Sequence, residues 1–185
     1  MNDTEIGMEG GATTDADGYL VFRLSGVLAA VPVGRVREVV DPAPLTPVPR
    51  MPAFLRGIMN LRGGVITVVD VGMKIGLGAA GSGPDACIVL VMVQIGGETT
   101  WLGVQADTVR EVVSLRPDAI TPSPRLGLGV RSEMVRGVAD WNGDFLLVLD
   151  IDRALADLGV DISAPEDAEP SDTAPAGPRL DLSAP

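Results

Sequence analysis

The chain has 185 residues, of which 46% are hydrophobic and only 3% aromatic, and its formal net charge is −11. This length suffices for one ordinary domain or two small ones, and the apolar fraction suffices for a buried core. The acidity lies at the ends, because residues 1–18 and 156–185 carry twelve acidic residues and one arginine, whereas residues 19–155 carry thirteen acids and thirteen bases. A charge-balanced central part offers no basic stripe, so we expect no nucleic-acid partner.

The chain contains no histidine and one cysteine, Cys87. The lack of histidine excludes Ser-His-Asp triads, histidine phosphotransfer and the commonest metal ligand. Cys87 lies in an apolar run, which is typical of a small buried hydrophobic residue. The N-terminus lacks the pattern of a signal peptide, and no apolar run reaches the roughly 20 residues of a membrane helix. We therefore expect a cytoplasmic protein without direct membrane insertion.

The first part of the chain predicts an arm and then a hairpin. Residues 1–18 have little to bury and are predicted to be disordered. Order is expected to begin at Tyr19, with strands at residues 19–24 and 27–33 joined by a turn that contains glycine. The segment 34–40 fits a helical turn or a strand, and its pattern does not decide between them.

A connector and a short helical turn are predicted next. Five prolines between Pro42 and Pro52 exclude a regular helix or a central strand there. Residues 53–56 are predicted to form one helical turn that ends at Gly57. The strand at residues 65–70 carries apolar residues on both faces, so we expect it to be covered on both sides.

A duplicated hairpin dominates the pattern of the sequence. Residues 57–70 read GIMNLRGGVITVVD, and residues 137–150 read GVADWNGDFLLVLD, with the turn dipeptides Arg62-Gly63 and Asn142-Gly143 at equivalent places. Asn-Gly is a strong signal for a type I′ turn. Two shorter matched segments lie upstream, both reading VREVV, at residues 36–40 and 109–113. The duplication predicts two equivalent lobes.

Residues 76–84, GLGAAGSGP, contain the pattern G-x-G-x-x-G. A dinucleotide site requires a strand before this motif and a helix that opens from it, with an acidic residue ~20 positions further on. Here Gly-Pro and another predicted strand follow, so we interpret the segment as a flexible linker between the lobes. After it, strands at residues 86–95 and 99–105 are predicted to form a hairpin turned by Gly96-Gly97.

The chain is predicted to end in a short helix and a tail. The helix begins after Asp150, which is placed to act as its N-cap. Residues 159–185 are rich in Ala, Pro, Ser and acidic residues, and we assign them no structure.

Carboxylates are the remaining catalytic candidates. Asp70 and Asp150 end equivalent strands, where an aspartate commonly caps the following segment, and capping is favoured over catalysis. A small enzyme that uses Asp70, Asp107 or Asp150 stays an alternative, and it would require converging carboxylates in a concave pocket. The sequence predicts no catalytic, metal or cofactor site.

Arg62 is the most unusual polar residue of the duplicated hairpin. The second copy has Asn142 at this place, which is a better turn residue, so the turn itself does not require an arginine. A charge at a hairpin tip is usually only solvated. Two other interpretations stay open, namely that Arg62 pairs with Glu38 and that it contacts a partner.

Several segments together resemble the CheW family of adaptors in bacterial chemosensory arrays. The resemblance covers roughly residues 19–158. It rests on YLVFRL at 19–24, VPV at 31–33, VREV at 36–39, FLRGIMNLRG at 54–63, VVDV at 68–71, LGVQADTV at 102–109 and VRGV at 135–138.

The resemblance implies a mainly β fold of two SH3-like, five-stranded β-barrel subdomains with a few short helices. In this organisation residues 19–158 form the CheW-like domain, with the linker at about 76–84, and the acidic ends are disordered. The resemblance also implies a protein that is not an enzyme and has no cofactor.

The partners implied are the regulatory domain of a CheA-type histidine kinase and the cytoplasmic tip of methyl-accepting chemotaxis receptors. These would recruit the protein to membrane-associated receptor arrays. By position, Glu38 and Arg62 correspond to places used in receptor coupling, and Val36 and Gly57 lie near the protein-contact surface. An adaptor of a non-flagellar chemosensory system, such as one for surface motility, is the alternative within the same family.

Overall fold

A computed structural model of the chain describes residues 17–122, 130–156 and 158. The expected disordered regions therefore fall almost entirely outside the described residues. The described part is mainly β, with two five-stranded sheets and two short α-helices. Its elements are β1 (Asp17–Leu24), β2 (Val27–Pro32), β3 (Val36–Val40), β4 (Leu55–Leu61), β5 (Gly64–Val69), α1 (Val71–Ile75), β6 (Cys87–Ile95), β7 (Glu98–Ala106), β8 (Thr108–Leu115), β9 (Val135–Trp141), β10 (Asp144–Leu149) and α2 (Ile151–Leu155).

Three local expectations change in the structure. Strand β1 begins at Asp17, two residues before the predicted start, because Asp17 pairs with Leu115 of β8. The undecided segment divides into a 3₁₀ turn at Val33–Arg35 and strand β3. The predicted helical turn at residues 53–56 is wrong, because β4 already begins at Leu55, where it pairs with Val69.

The two sheets have the same strand order. The first sheet runs β8-β1-β2-β10-β9 and the second sheet runs β3-β6-β7-β5-β4. Each sheet combines one hairpin with three strands from the other half of the chain: β1 and β2 join β8 to β10, while β6 and β7 join β3 to β5. The two halves have therefore exchanged their hairpins, and neither lobe consists of one continuous half.

This exchange corrects the role of residues 76–84. The segment connects α1, which follows β5, to β6, and both β5 and β6 belong to the second sheet. It is therefore not a linker between lobes. The chain crosses between the sheets at the 3₁₀ turn Val33–Arg35 and at the single residue Asp107 between β7 and β8.

Hydrogen bonds hold residues 76–84 against both sheets. Ser25 donates its hydroxyl to the carbonyl oxygen of Gly78 at 2.6 Å. The backbone N–H of Ala80 donates to Asp70 at 2.8 Å, and that of Gly81 donates to Asp107 at 2.6 Å. The expected flexible linker is thus tied to the rest of the fold at three of its residues.

The largest core cluster combines side chains of both sheets and both helices. Phe22 and Val31 contribute from the first sheet, and Val91 and Val104 contribute from the second. Smaller clusters fill the inner face of each sheet separately. Most of the buried residues are aliphatic, which agrees with the low aromatic content of the sequence. Many of them are β-branched, and β-branched residues favour strands.

Strand β5 is only partly covered. Val68 and Val69 are fully buried, whereas Val65, next to the hairpin tip, is 52% exposed. The prediction of cover on both faces holds at the end of β5 that pairs with β7 and fails at the end near the turn.

We expect Cys87 to be unreactive in the folded protein. Burial raises the pKa of its thiol, and the nearby carboxylates of Asp107 and Asp41 raise it further. Because the thiolate is the reactive form, Ellman's reagent should label the native protein very slowly at pH 8 and should label it stoichiometrically in guanidinium chloride. Rapid stoichiometric labelling of native protein would show that the thiol is accessible.

Candidate functional site

An ion pair joins the two edges of the second sheet. Glu38 lies on the edge strand β3, and Arg62 lies in the turn between β5 and the opposite edge strand β4. The Nη2 of Arg62 donates to the Oε2 of Glu38 at 2.7 Å. The second sheet therefore curls until its edges meet, and of the two interpretations left open for Arg62, pairing with Glu38 is present in the structure.

The ion pair leaves most of the arginine accessible. The side chain of Arg62 is 72% exposed, whereas that of Glu38 is 21% exposed. A guanidinium carries five N–H donors, and the contact with Glu38 engages only its Nη2 nitrogen. Arg62 can consequently keep its contact with Glu38 and still bind a carboxylate or carbonyl of another protein.

The backbone of Arg62 adopts the left-handed conformation. Its φ is 52°, close to the 56° of Asn142 in the second copy, and the following glycines also have positive φ. This is the type I′ geometry, which the sequence predicts for Asn142-Gly143 and which the turn at Arg62-Gly63 shares. A residue with a Cβ pays roughly 1 kcal/mol for this conformation, and asparagine pays less. Arg62 therefore adds a side chain to this surface at a cost to the turn.

The other two predicted site residues lie in different surroundings. Val36 is half-buried on β3, two residues before Glu38, and packs against the central core. Gly57 is buried on β4 with a φ of 137°, and a Cβ built on it would lie 2.5 Å from the carbonyl oxygen of Thr46. Thr46 belongs to the Pro-rich connector, which pairs with Ile58 at this point. Gly57 thus lets the connector cross β4 closely.

Exposed apolar side chains occur at matched places in both sheets. Val39 and Val112 occupy the same position of the two VREVV segments, and they are 41% and 54% exposed. Val65 and Phe145 follow the two hairpin turns, and they are 52% and 80% exposed. These four residues were not predicted from the sequence, although the two aligned copies carry an apolar residue two places after each turn glycine.

The candidate carboxylates bind backbone amides. Asp70 caps α1 by accepting from the N–H of Met73 at 2.9 Å, and Asp150 caps α2 by accepting from the N–H of Arg153 at 3.1 Å. The two oxygens of Asp107 accept from the N–H groups of Gly26 and Gly81. The capping prediction is confirmed, and these contacts give each carboxylate a structural role.

The structure contains neither a metal cluster nor a membrane-spanning helix within its described ranges. There, no group of three or more cysteine and acidic side chains is placed to hold a metal ion. Similarly, none of the helices among these residues is long and apolar enough to cross a membrane.

The model of the CheW-like domain family matches residues 18–159. The chain belongs to the CheW-like family. Chemotaxis protein CheW of Rhizobium meliloti (strain 1021) is 28% identical over 133 residues, which cover 72% of this chain and 83% of that protein. Protein FrzA of Myxococcus xanthus is 32% identical over 126 residues, which cover 68% of this chain and 76% of that protein.

The crystal structure of the scaffolding protein TtCheW from Thermoanaerobacter tengcongensis superposes on this CheW-like fold. The TM-score is 0.69 at 25% sequence identity, and the match covers 89% of this chain and 99% of that one. The mainly β fold with two five-stranded subdomains, which the resemblance implied, is confirmed. The chain is accordingly a scaffold protein of the CheW family of chemotaxis proteins.

Proposed function

We propose that this CheW-like chain is a non-enzymatic adaptor that couples a CheA-type histidine kinase to the cytoplasmic tips of methyl-accepting chemotaxis receptors. It would act in the cytoplasm and be recruited to membrane-associated receptor arrays. The observation that carries the proposal is the exposed ion pair of Glu38 and Arg62, which lies where the family resemblance implies receptor coupling.

The surroundings of the ion pair fit a protein-binding surface. Val39 directly follows Glu38 and is 41% exposed, and Val65 lies three residues after Arg62 and is 52% exposed. Apolar contact area beside an arginine is the composition expected of an interface, where arginine is also enriched among the residues that contribute most to affinity. We assign the receptor to the edges of the second sheet that carry Glu38, Val39, Arg62 and Val65.

The kinase is assigned to the other sheet. Phe145, at 80% exposure, and Val112, at 54%, are the equivalent apolar residues there, but Asn142 replaces the arginine at the turn. The two sheets therefore present similar apolar positions with different charges. This difference lets one rigid frame bind two different partners.

Binding measurements on matched variants test the receptor surface. We expect Arg62→Ala and Glu38→Ala to weaken binding of a receptor signalling fragment about tenfold or more, because a charge-assisted contact is lost at an interface. Kinase binding should stay within about twofold. The melting temperature should change little, since an exposed ion pair contributes about 1 kcal/mol or less. Calorimetric titrations with the kinase and receptor of the same organism provide these values.

Two further variants serve as controls. Arg116→Ala breaks an exposed ion pair with Asp118 after β8, away from this surface, and should leave receptor binding unchanged. The double variant Glu38→Arg with Arg62→Glu, in which the two charges exchange positions, can restore the ion pair. If a partner contacts Arg62 directly, the exchange does not restore receptor binding.

The possible results test the adaptor function and the assignment of the receptor surface separately. A folded wild-type protein that binds neither partner would contradict the adaptor proposal. Normal receptor binding by Arg62→Ala would contradict only the assignment of this surface. Full recovery in the exchanged variant would mean that the pair merely holds the sheet edges together.

An adaptor for a non-flagellar chemosensory system is the second candidate. The 32% identity to Protein FrzA of Myxococcus xanthus favours it, since this relative carries a name other than chemotaxis protein CheW. Deletion of the gene should abolish directed swimming under the first function and surface spreading under the second. Swimming and spreading assays on soft and hard agar distinguish them.

A further inference from the structure

A β-bulge in β3 directs two consecutive charged side chains to the same face of the second sheet. The register of β3 on β6 shifts between Val36 and Glu38, so Arg37 is the extra residue of the bulge. In a regular strand, Arg37 and Glu38 would point to opposite faces, and a bulge can redirect one of them. Here the Cζ of Arg37 lies 5.2 Å from the centre of the Trp101 ring, while Glu38 pairs with Arg62.

Trp101 lies on the inner face of the second sheet. The next residue of β7, Leu102, packs in the central core that both sheets share, and successive residues of a strand point to opposite faces. Trp101 is therefore on the side of the smaller cluster that contains Leu90, the cross-strand partner of Glu38. The contact between Arg37 and Trp101 thus shares the inner face with the ion pair.

The guanidinium of Arg37 has hydrogen-bond donors available for a partner. Arg37 is exposed and Trp101 is half-buried, so the ring supports the arginine from below. A cation within about 6 Å of a tryptophan ring is held by the charge distribution of the ring. Among the residues that the structure describes, no group accepts a hydrogen bond from the side chain of Arg37 and no carboxylate pairs with it. Its five N–H donors can therefore bind a carboxylate.

The first sheet has the arginine of this arrangement but not the aromatic ring. Arg110 takes the place of Arg37 in the second VREVV segment. The place of Trp101 is taken by Leu28, which is 5% exposed. This follows from the pairing registers, in which the equivalent rows are Val36-Val91-Leu102 and Val109-Phe22-Ala29. Like the arginine at the hairpin turn, the supporting tryptophan distinguishes the second sheet from the first.

We propose that Arg37, positioned by Trp101, binds a carboxylate of the receptor and extends the receptor contact beyond Glu38 and Arg62. This inference rests on the proposed function, since it assigns a ligand chemistry to the partner placed at this sheet. Two arginines outweigh the single charge of Glu38, so the three residues together complement an acidic receptor segment. A guanidinium that is held in place can bind a carboxylate through two parallel hydrogen bonds.

A double-mutant cycle tests the roles of the arginine and the tryptophan. We expect Arg37→Ala to weaken binding of a receptor signalling fragment about tenfold, and Arg110→Ala, its match in the first sheet, to change it less than about twofold. Trp101→Leu introduces the residue of the first sheet and should weaken binding about threefold, because the support of the guanidinium is lost. The same substitution should have no effect in the Arg37→Ala background, whereas a merely structural tryptophan would give additive losses. Trp101→Phe keeps a ring and should retain most of the affinity.

Charge exchange identifies the carboxylate on the receptor. In a set of receptor fragments, each exposed Asp or Glu of the tip is replaced in turn by Lys. One of these fragments should bind the wild-type protein about tenfold more weakly and should regain affinity for Arg37→Glu, because the exchanged charges attract again. Calorimetric titration provides the affinities, and circular dichroism melting of each variant shows whether its fold is retained.

Several results would overturn the proposal. A wild-type protein that binds no receptor would contradict the proposed function and this inference with it. Normal receptor binding by Arg37→Ala, together with weakened binding by Arg62→Ala, would contradict this inference alone. If Arg37→Ala weakens the kinase instead, the carboxylate belongs to the kinase, and if it abolishes self-association, the carboxylate belongs to a second copy. Failure of every charge-exchanged pair would exclude a direct contact between Arg37 and a receptor carboxylate.

Discussion

Separated into residues 1–82 and 83–185, the chain is expected to lose its fold in both parts and to regain it when the parts are mixed. Among the strands of the described residues, four of the eight strand pairs join the two parts: β1 with β8, β2 with β10, β3 with β6, and β5 with β7. Each part alone keeps only two-stranded hairpins, which are marginally stable in water.

A protease site inserted between Ser82 and Gly83 makes the experiment possible. Both residues are exposed, and a Cβ at Gly83 would meet no atom within 4 Å, so the insertion should leave the uncleaved protein folded. After cleavage the parts should stay associated in native buffer and separate in guanidinium chloride. Each isolated part should show no cooperative melting transition by circular dichroism, and the mixture should recover one.

The uncleaved insertion protein is the control for damage by the new loop. A cooperative transition in either isolated part would contradict the exchanged topology, because it would mean that one continuous half forms a lobe. Failure of the mixture to refold would mean that the covalent connection at residues 76–86 is required for assembly.

Gly57→Ala should destabilise the protein by about 3 kcal/mol and lower its melting temperature by about 10 °C. Gly57 has a φ of 137°, a region essentially restricted to glycine. The new methyl group would lie 2.5 Å from the carbonyl oxygen of Thr46, which also accepts the backbone hydrogen bond of Ile58. Because this obstacle is backbone, it cannot move away without breaking the contact between the connector and β4.

Gly34→Ala is the matched control. Gly34 lies in the 3₁₀ turn before β3, and a Cβ there would meet nothing within 4 Å. This variant should be neutral or slightly more stable, because alanine reduces the entropy of the unfolded chain. Chemical denaturation of both variants provides the comparison. An unchanged midpoint for Gly57→Ala would contradict the structural role of Gly57.

Binding and stability measured together on Gly57→Ala also test the assignment of Gly57 to the protein-contact surface. Loss of binding in Gly57→Ala, together with a lower melting temperature, would reflect displacement of the connector. Loss of binding at unchanged stability would support a direct contact with a partner. Arg62 is better suited to test a binding role, because its side chain is 72% exposed and its removal leaves the core intact.

Much of the local structure could be predicted from the sequence. The duplicated hairpins, the type I′ turn at Asn142, and the N-caps at Asp70 and Asp150 are confirmed. Each depends on residues that are close together in the chain, where the conformational preferences of glycine, asparagine and aspartate act directly. The error at residues 53–56 arose because Leu55 pairs with Val69, which lies on the next strand.

The candidate site was predictable only in part. The mismatch between Arg62 and Asn142 singled out an arginine that the turn does not need, and it left pairing with Glu38 open as one interpretation. The contact itself depends on curling of the second sheet, which brings its opposite edges together. The exposure of Val65 and Phe145 was missed, since an apolar residue in a strand is normally expected to be buried.

The sequence by itself determined most of the strands, the turns of the duplicated hairpins, the helix caps and the existence of two equivalent units. The tertiary structure alone decided which hairpin completes which sheet, and this turned the expected linker at residues 76–84 into a connection within the second sheet. The reason is physical. The hairpins β1-β2 and β6-β7 carry similar rows of aliphatic side chains, so local preferences do not determine which sheet each hairpin joins. Pairing between distant strands and burial of the shared core select the exchanged arrangement.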